Sequence, residues 1–364
     1  MVKKLTAALL ACSLLLALTA CGTGGMVLRN PASPAASAPE DPVTRSFTDS
    51  LGRTVSLPAE VDRVALSGPM AQIVLFALCP DRLVGLSSAW TEDAEAYLDP
   101  AYFNMPEIGQ LYGGKGALNL ETLLASGAQV VVDVGEPKGK MAEELDALQE
   151  QSGVPFVHVT ATIDTMDGAY RMLGELLGME AEAEELAAYC ASVYARIVDI
   201  LGQVGRKKVL YIAGEAGLNV IAKGSFHAEI IDFMADNLAA VDEPSSLGTG
   251  NEVDMEQLLN WNPDVILFAP DSVYETVGAD PAWQTITAVQ NGAYYEVPMG
   301  PYNWMGFPPS VQRLLGMLWA AKVLYPEAAE YDLYKEAARY FELFYHCELT
   351  REQYGKFVAH SLPE

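Results

Sequence analysis

From Arg63 onward, short apolar runs alternate with longer segments whose apolar residues recur every three or four positions. The pattern predicts buried strands over 63–67, 83–87, 129–134 and 155–160, with helices over 69–78, 120–126 and 140–152 between them. Strand–helix alternation at this spacing favours a parallel sheet with helices on its faces. Ahead of it, Phe47-Thr48-Asp49-Ser50-Leu51-Gly52-Arg53-Thr54-Val55 reads as a small β-hairpin around a Ser/Gly turn. Between about Thr165 and Gln203 the strand pattern stops. Ala169, Met172, Leu173, Leu176, Leu177, Leu186, Tyr189, Val193, Ile197 and Ile200 mark helical faces there. A break at Gly178-Met179-Glu180 leaves a short helix and a long one over 181–201, about 30 Å in length. Alternation then resumes, with strands over 208–213, 218–222, 264–269 and 293–297 and helices over 226–237, 254–261 and 310–324. Two more helices are expected at 331–344 and 351–360.

The two alternating stretches repeat each other. Leu118-Asn119-Leu120-Glu121-Thr122-Leu123-Leu124 leads to Gly127-Ala128-Gln129-Val130-Val131-Val132. Val253-Asp254-Met255-Glu256-Gln257-Leu258-Leu259 leads to Asn262-Pro263-Asp264-Val265-Ile266-Leu267. Each is a capped, acidic helix start, an apolar helix, a turn and a buried strand. The expected architecture is therefore α/β: two βα lobes with parallel-type central sheets, joined by a single long helix, with a ligand cleft between the lobes. The boundaries are an N-terminal lobe at 45–165, a linking helix at 166–204, and a C-terminal lobe with C-terminal helices at 205–364. A body of roughly 320 residues exceeds what one hydrophobic core usually supports.

The first residues have another character. Lys3 and Lys4 precede an apolar run from Leu5 to Leu18, and Leu18-Thr19-Ala20-Cys21 closes it. Residues 1–20 have the layout of a signal peptide, too short for a stable membrane helix. The small residues before Cys21 resemble the bacterial lipobox, which implies cleavage there, lipidation of the Cys21 thiol and display outside the cytoplasmic membrane. Residues 21–44, rich in Gly, Pro, Ala and Ser, read as a flexible tether. The formal charge of −26 becomes −28 once Lys3 and Lys4 leave, so nucleic acid and anionic lipid are poor partners. Membrane contact is expected through the lipid anchor only. Cys79, Cys190 and Cys347 remain in the body without a C-x-x-C pair, and they read as small buried apolar residues.

Several phrases resemble the substrate-binding proteins of ABC importers for iron–siderophore, haem and cobalamin-type compounds. They include residues 47–58, Asp62-Arg63-Val64, Asp81-Arg82-Leu83-Val84-Gly85-Leu86, the two helix-to-strand phrases, and Asp280-Pro281-Ala282-Trp283. Ala288-Val289-Gln290-Asn291-Gly292-Ala293-Tyr294-Tyr295 and the run from Trp304 to Pro326 complete the set, which covers nearly all of 45–350. The resemblance implies lobes bridged by a rigid helix, little hinge closure, and a partner permease with its ATPase. It also implies one glutamate per lobe docking onto permease arginines, and Glu121 and Glu256 match those positions. Each is also a first-turn acid that favours its helix dipole without any partner. The implied ligand is an iron chelate of siderophore type, with haem or a corrinoid as alternatives. No cofactor of the protein's own is expected.

In open α/β lobes, ligands bind beyond the carboxyl ends of strands. Met70, Trp90 and Glu215 lie at such ends, and His227 follows Gly224-Ser225-Phe226 near the cleft edge of the second lobe. The glycine-rich loop from Gly109 to Gly116 carries Tyr112 and Lys115, without the Ser/Thr of a P-loop. Some relatives hold a stacking aromatic where Lys115 stands, a departure that argues against direct transfer of cobalamin specificity. Lys115 suits an anionic chelate, or is an exposed loop lysine. Pro301-Tyr302-Asn303-Trp304-Met305-Gly306-Phe307-Pro308-Pro309 is the most concentrated aromatic stretch. Tyr302 and Trp304 are assigned to the cleft and Phe307 to packing. Trp90, Tyr97 and Tyr112 are weaker aromatic candidates on the opposite lobe. The four histidines are scattered, and no metal site is expected.

Catalysis is not expected of this chain. A tethered hydrolase would draw on Ser67, Asp133 and Glu136, yet no G-x-S-x-G elbow, zinc signature or Walker pattern accompanies them. A lipid-anchored ligand sensor using the same fold is the remaining alternative.

Overall fold

A computed structural model describes residues 43–111 and 118–363. The expected signal peptide, the lipidated Cys21, nearly all of the tether, and the loop residues Tyr112 and Lys115 lie outside the described residues. Among the described residues no helix is long and apolar enough to cross a membrane.

The first lobe opens with an antiparallel hairpin, β1 (Thr44–Thr48) and β2 (Thr54–Pro58). Asp49 closes its turn. Its Oδ1 accepts from the Leu51 and Arg53 amides at 3.0 and 2.9 Å, and Arg53 Nη1 returns to Oδ2 at 2.9 Å. The lobe's sheet is parallel, in the order β3 (Val64–Leu66), β4 (Val130–Gly135), β5 (Phe156–Thr160). Every residue of β3 and β4 is buried, because helices cover both faces and no polar alternation is called for. The helices of this lobe are α1 (Pro69–Leu78), the single turn α2 (Pro100–Phe103), α3 (Leu120–Ala125) and α4 (Met141–Ser152), with α1 packed on β3 and β4 and α4 on β5. The strand expected at 83–87 is instead a pair of isolated bridges, Val64 to Leu83 and Leu86 to Glu107. The buried Gln72 side chain takes the Ser87 amide at 2.8 Å, so a side chain stands where a neighbouring strand would be.

The connection between lobes is two helices, α5 (Met166–Leu177) and α6 (Glu180–Leu201). Gly178 ends α5 in the left-handed region at φ 65°, the conformation a glycine adopts most cheaply. The chain doubles back there and α6 packs along α5.

In the second lobe β6 (Lys208–Ala213) is central. β10 (Val265–Phe268) and then β11 (Tyr294–Glu296) run parallel on one side. On the other side the short β7 (Asn219–Val220) and β9 (Asn251–Glu252) are antiparallel, and β8 (Asp236–Asn237) pairs parallel with β6. The sheet is thus parallel at its core and mixed at its edge. The helix expected at 226–237 is shorter: a 3-10 turn at Phe226–Ala228, then α7 (Glu229–Met234), after which Asp236 joins the sheet. α8 (Met255–Trp261), the single turns α9 (Tyr274–Val277) and α10 (Thr287–Gln290), and the almost wholly buried α11 (Arg313–Leu324) follow.

The last two helices, α12 (Leu333–Phe344) and α13 (Arg351–Phe357), reach back across the molecule. α12 packs on α1 of the first lobe. Tyr97 meets Phe341 edge-on at 5.2 Å, and His346 Nε2 is 3.3 Å from the Phe76 carbonyl, its hydrogen-bond acceptor. These helices join the lobes as α6 does.

Candidate functional site

Two seams join the lobes at the carboxyl ends of their strands. The first is aromatic. Trp90 packs edge-on to Phe76 at 5.2 Å and lies 6.3 Å from Tyr302 across the seam, while Thr91 Oγ1 donates to the Pro301 carbonyl at 2.9 Å. Trp90 Nε1 donates to the Tyr102 carbonyl at 3.2 Å. Burial pushes the Tyr302 hydroxyl well above its ordinary pKa. Trp90 and Tyr302 are both buried, so here they hold lobe to lobe. Tyr97 is buried against Phe341 and Phe357.

The second seam is polar. After β3, extended Gly68 starts α1, and the Met70 carbonyl accepts from Ser310 Oγ of the other lobe at 3.0 Å. The Met70 thioether lies over Gly135, where a Cβ would come within 3.0 Å of its terminal methyl. Gly135 has φ 150°, which together with that approach suits glycine at the end of β4. Arg313 Nε donates to the Ser310 carbonyl at 3.2 Å, and Nη1 pairs with Glu229 Oε2. Glu229 Oε1 accepts from the Ile163 amide of the first lobe at 3.1 Å. The Arg313 guanidinium carbon stands 4.5 Å from the Phe226 ring centre, and its Nη2 is buried without a hydrogen-bond partner among the described residues.

Electrostatics along this seam are set by dehydration. Burial raises the Glu229 carboxyl above its usual range, with the Arg313 charge pulling the other way. Burial likewise lowers Arg313, against the pull of Glu229. His227 Nδ1 donates to the Gly306 carbonyl at 3.0 Å. Burial depresses its pKa, and the neighbouring Arg313 charge adds to that. The backbone turns tightly over the arginine at Gly306 (φ 116°), where a Cβ would be 3.1 Å from Arg313 Cδ.

The structure reverses two expectations for the aromatic loop. Trp304 is 1% exposed, its Nε1 donating to the Gly300 carbonyl at 3.2 Å and its ring edge-on to Phe357. It is a packing residue, because the loop folds back and α11 crosses so closely that a Cβ on Gly316 would strike the Trp304 carbonyl. Phe307, assigned to packing, is 56% exposed. Its ring lies against Gly248 and 6.2 Å from His227. Met70 and His227 therefore fall on one connected seam with Phe307, while Glu215 stands apart, exposed in the turn between β6 and β7. Sequence reading missed Arg313, Glu229 and Phe226. A single cation in the otherwise apolar stretch 310–321 was the available signal for the first.

The candidate hydrolytic residues do not assemble a nucleophile. Ser67 Oγ donates to Asp133 Oδ1 at 2.5 Å, and His158 Nδ1 donates to Asp133 Oδ2 at 2.6 Å. The carboxylate stands between serine and histidine, so the imidazole takes no proton from the hydroxyl, and all three side chains are buried. This is an internal polar tie between β3, β4 and β5.

Glu121 and Glu256 occupy the same place in their two lobes, the second residue of α3 and of α8. Both are exposed, without a hydrogen-bond or ion-pair partner among the described residues.

A profile of the family described as "Periplasmic binding protein" matches residues 74–299, more than half the chain. The molybdate-binding protein MolA of Haemophilus influenzae is 26% identical over 332 residues, covering 83% of this chain and 91% of that protein. An ABC transporter solute binding protein from Sulfurospirillum deleyianum superposes with a TM-score of 0.79 at 26% identity, covering 86% of this chain and 99% of that one. A periplasmic solute binding protein from Veillonella parvula gives a TM-score of 0.72 at 23% identity over 88% of this chain and 98% of its own. This last likeness bears on the fold.

Proposed function

The chain belongs to the periplasmic binding protein family, and from that premise we propose that it captures a metal-containing anionic solute outside the cytoplasmic membrane for an ABC importer. The permease and its ATPase move the solute, and this chain carries no catalytic step. We assign Cys21 as the lipidated anchor and Glu121 with Glu256 as the contacts to permease arginines.

The ligand we propose is an iron chelate of siderophore type. The observation that carries this reading is Phe307, a large aromatic ring 56% exposed beside His227 on the polar seam. An exposed ring held against the Gly248 backbone presents flat apolar surface at low entropic cost, which suits the face of a bulky chelate. A second reading, a bare oxyanion such as molybdate, draws on the MolA relative and on the Arg313 Nη2 donor left without a partner. An oxyanion is recognised by charged donors and gains little from an aromatic face.

Titration of the purified protein with ferric catecholates, ferric hydroxamates, haem, cobalamin and sodium molybdate distinguishes them by calorimetry. Saturable binding of a ferric chelate, weakened about tenfold in Phe307→Ala, is the expected result. Binding of molybdate alone, unchanged by Phe307→Ala, replaces the chelate with the oxyanion. Binding of none of them removes the metal-containing ligand and raises the sensor reading.

A further inference from the structure

The duplication between the lobes extends to the surface. Residues 118–127 and 253–262 have the same order of half-buried, exposed and buried positions, ten for ten. Both helices are capped alike: Asn119 Oδ1 accepts from the Thr122 amide at 3.1 Å, and Asp254 Oδ1 from the Gln257 amide at 2.8 Å. Both segments then turn through the left-handed region, at Gly127 (φ 66°) and Asn262 (φ 42°). The inward residue of each helix is a leucine with no exposed surface, Leu123 or Leu258.

Folding of such a unit needs that inward leucine and a polar outer face. Each helix nevertheless carries a second leucine immediately after the first, pointing to solvent: Leu124 is 53% exposed and Leu259 38%. Each lies three residues beyond its glutamate, which on a helix makes the two neighbours on one face. One exposed leucine on a surface needs no explanation. The same leucine beside the same glutamate, at equivalent positions in both lobes, is a repeated surface feature that neither lobe's core requires.

We propose that Glu121 with Leu124, and Glu256 with Leu259, are the two halves of one docking surface on which the permease sits, each leucine entering an apolar socket beside the cation that its glutamate meets. This rests on the docking role given to the glutamates above. The duplicated surface calls for a partner that offers the complementary feature twice, a two-fold permease dimer with one positive charge and one apolar pocket in each subunit. A second copy of this chain is the wrong occupant, since it would set glutamate against glutamate between molecules of formal charge −26. The two residue types do different work. The carboxylates steer encounter and fix orientation, and salt weakens them. The leucines add burial that salt does not screen.

The test is the affinity of the full chain for its importer's permease–ATPase complex in lipid nanodiscs, at about 0.05 M and about 0.5 M salt, ionic strengths that bracket strong and weak screening. The variant Leu124→Ser with Leu259→Ser is expected to bind about a hundredfold more weakly, about tenfold per leucine, by a similar factor at both salts. Its thermal unfolding should match the parent, because both side chains are solvent-facing. Glu121→Gln with Glu256→Gln is expected to flatten the salt dependence. If the leucine variant binds like the parent while the glutamate variant does not, the apolar half is wrong and the docking glutamates stand. If neither variant differs from the parent, the docking role falls as well. A parent that sediments as a dimer, made monomeric by the leucine changes, would assign the leucines to self-association and overturn the proposal.

Discussion

At the scale of single residues, the seam between the lobes depends on groups whose charge is expensive to keep away from water. Arg313 is 1% exposed, with one nitrogen on Glu229, one on the Ser310 carbonyl and one without a partner among the described residues. His227 beside it is held neutral, since burial and the arginine both oppose a second positive charge. The sign of the resulting pH dependence follows. A histidine whose folded pKa lies below its unfolded value of about 6.5 binds fewer protons when folded, so stability falls as pH drops through that value. Glu229 works in the opposite direction, its raised folded pKa costing stability as pH rises through the acid range. Thermal unfolding of the parent and of His227→Gln between about pH 7.5 and pH 5, which spans that titration, should therefore diverge. The parent is expected to lose more stability on acidification than the variant. Parallel curves would mean that His227 already takes up its proton in the folded state.

At the scale of elements, the sequence was most legible where a pattern is enforced locally and least where it depends on partners far along the chain. α1 and β6 fall on the expected residues, and α5 and α6 separate at Gly178 as the glycine demands. The segment 83–87 looked like a strand because its residues are apolar, yet Gln72, a single side chain of α1, takes its amides. The aromatic loop defeated sequence reading for a similar reason. Composition announces rings at 302, 304 and 307, but only the fold-back over α11 decides that Trp304 turns inward and Phe307 outward. α5 against α6 offers a mutational check on the helical connection. A Cβ on Gly174 would stand 2.6 Å from Ala183 Cβ and 3.2 Å from the backbone at Met179 and Glu180. Gly174→Ala should push the helices apart and cost roughly 1–3 kcal/mol, as overpacking of a tight contact does. Urea unfolding measures this directly, and a variant as stable as the parent would mean that the helices have room to separate at no cost.

At the scale of the whole molecule, the same contacts that build the cleft limit its motion. α6 runs for 22 residues without interruption, about 33 Å of helix. α11 packs against it from the second lobe, while α12 returns to α1 of the first. Among the described residues, four hydrogen bonds cross directly between lobes, from Thr91 to Pro301, from Ser310 to Met70, from Ile163 to Glu229 and from His346 to Phe76. Opening a hinge would break these bonds and uncover the buried Arg313 pair and the Trp90–Tyr302 contact at once, and burial on this scale is expensive to undo. Ligand should therefore enter a cleft that is already formed, and the docking faces proposed on α3 and α8 should keep one separation whether the cleft is full or empty. Small-angle scattering of the free and ligand-saturated protein should give radii of gyration that agree within about 1 Å, the scale of change in preorganised complexes. A contraction of several ångströms would mean that the interlobe bonds open in solution. Under the docking role proposed for Glu121 and Glu256, their spacing would then tell the permease loaded from empty protein. If the radii agree, that spacing carries no such signal, and discrimination must come from the mouth of the cleft.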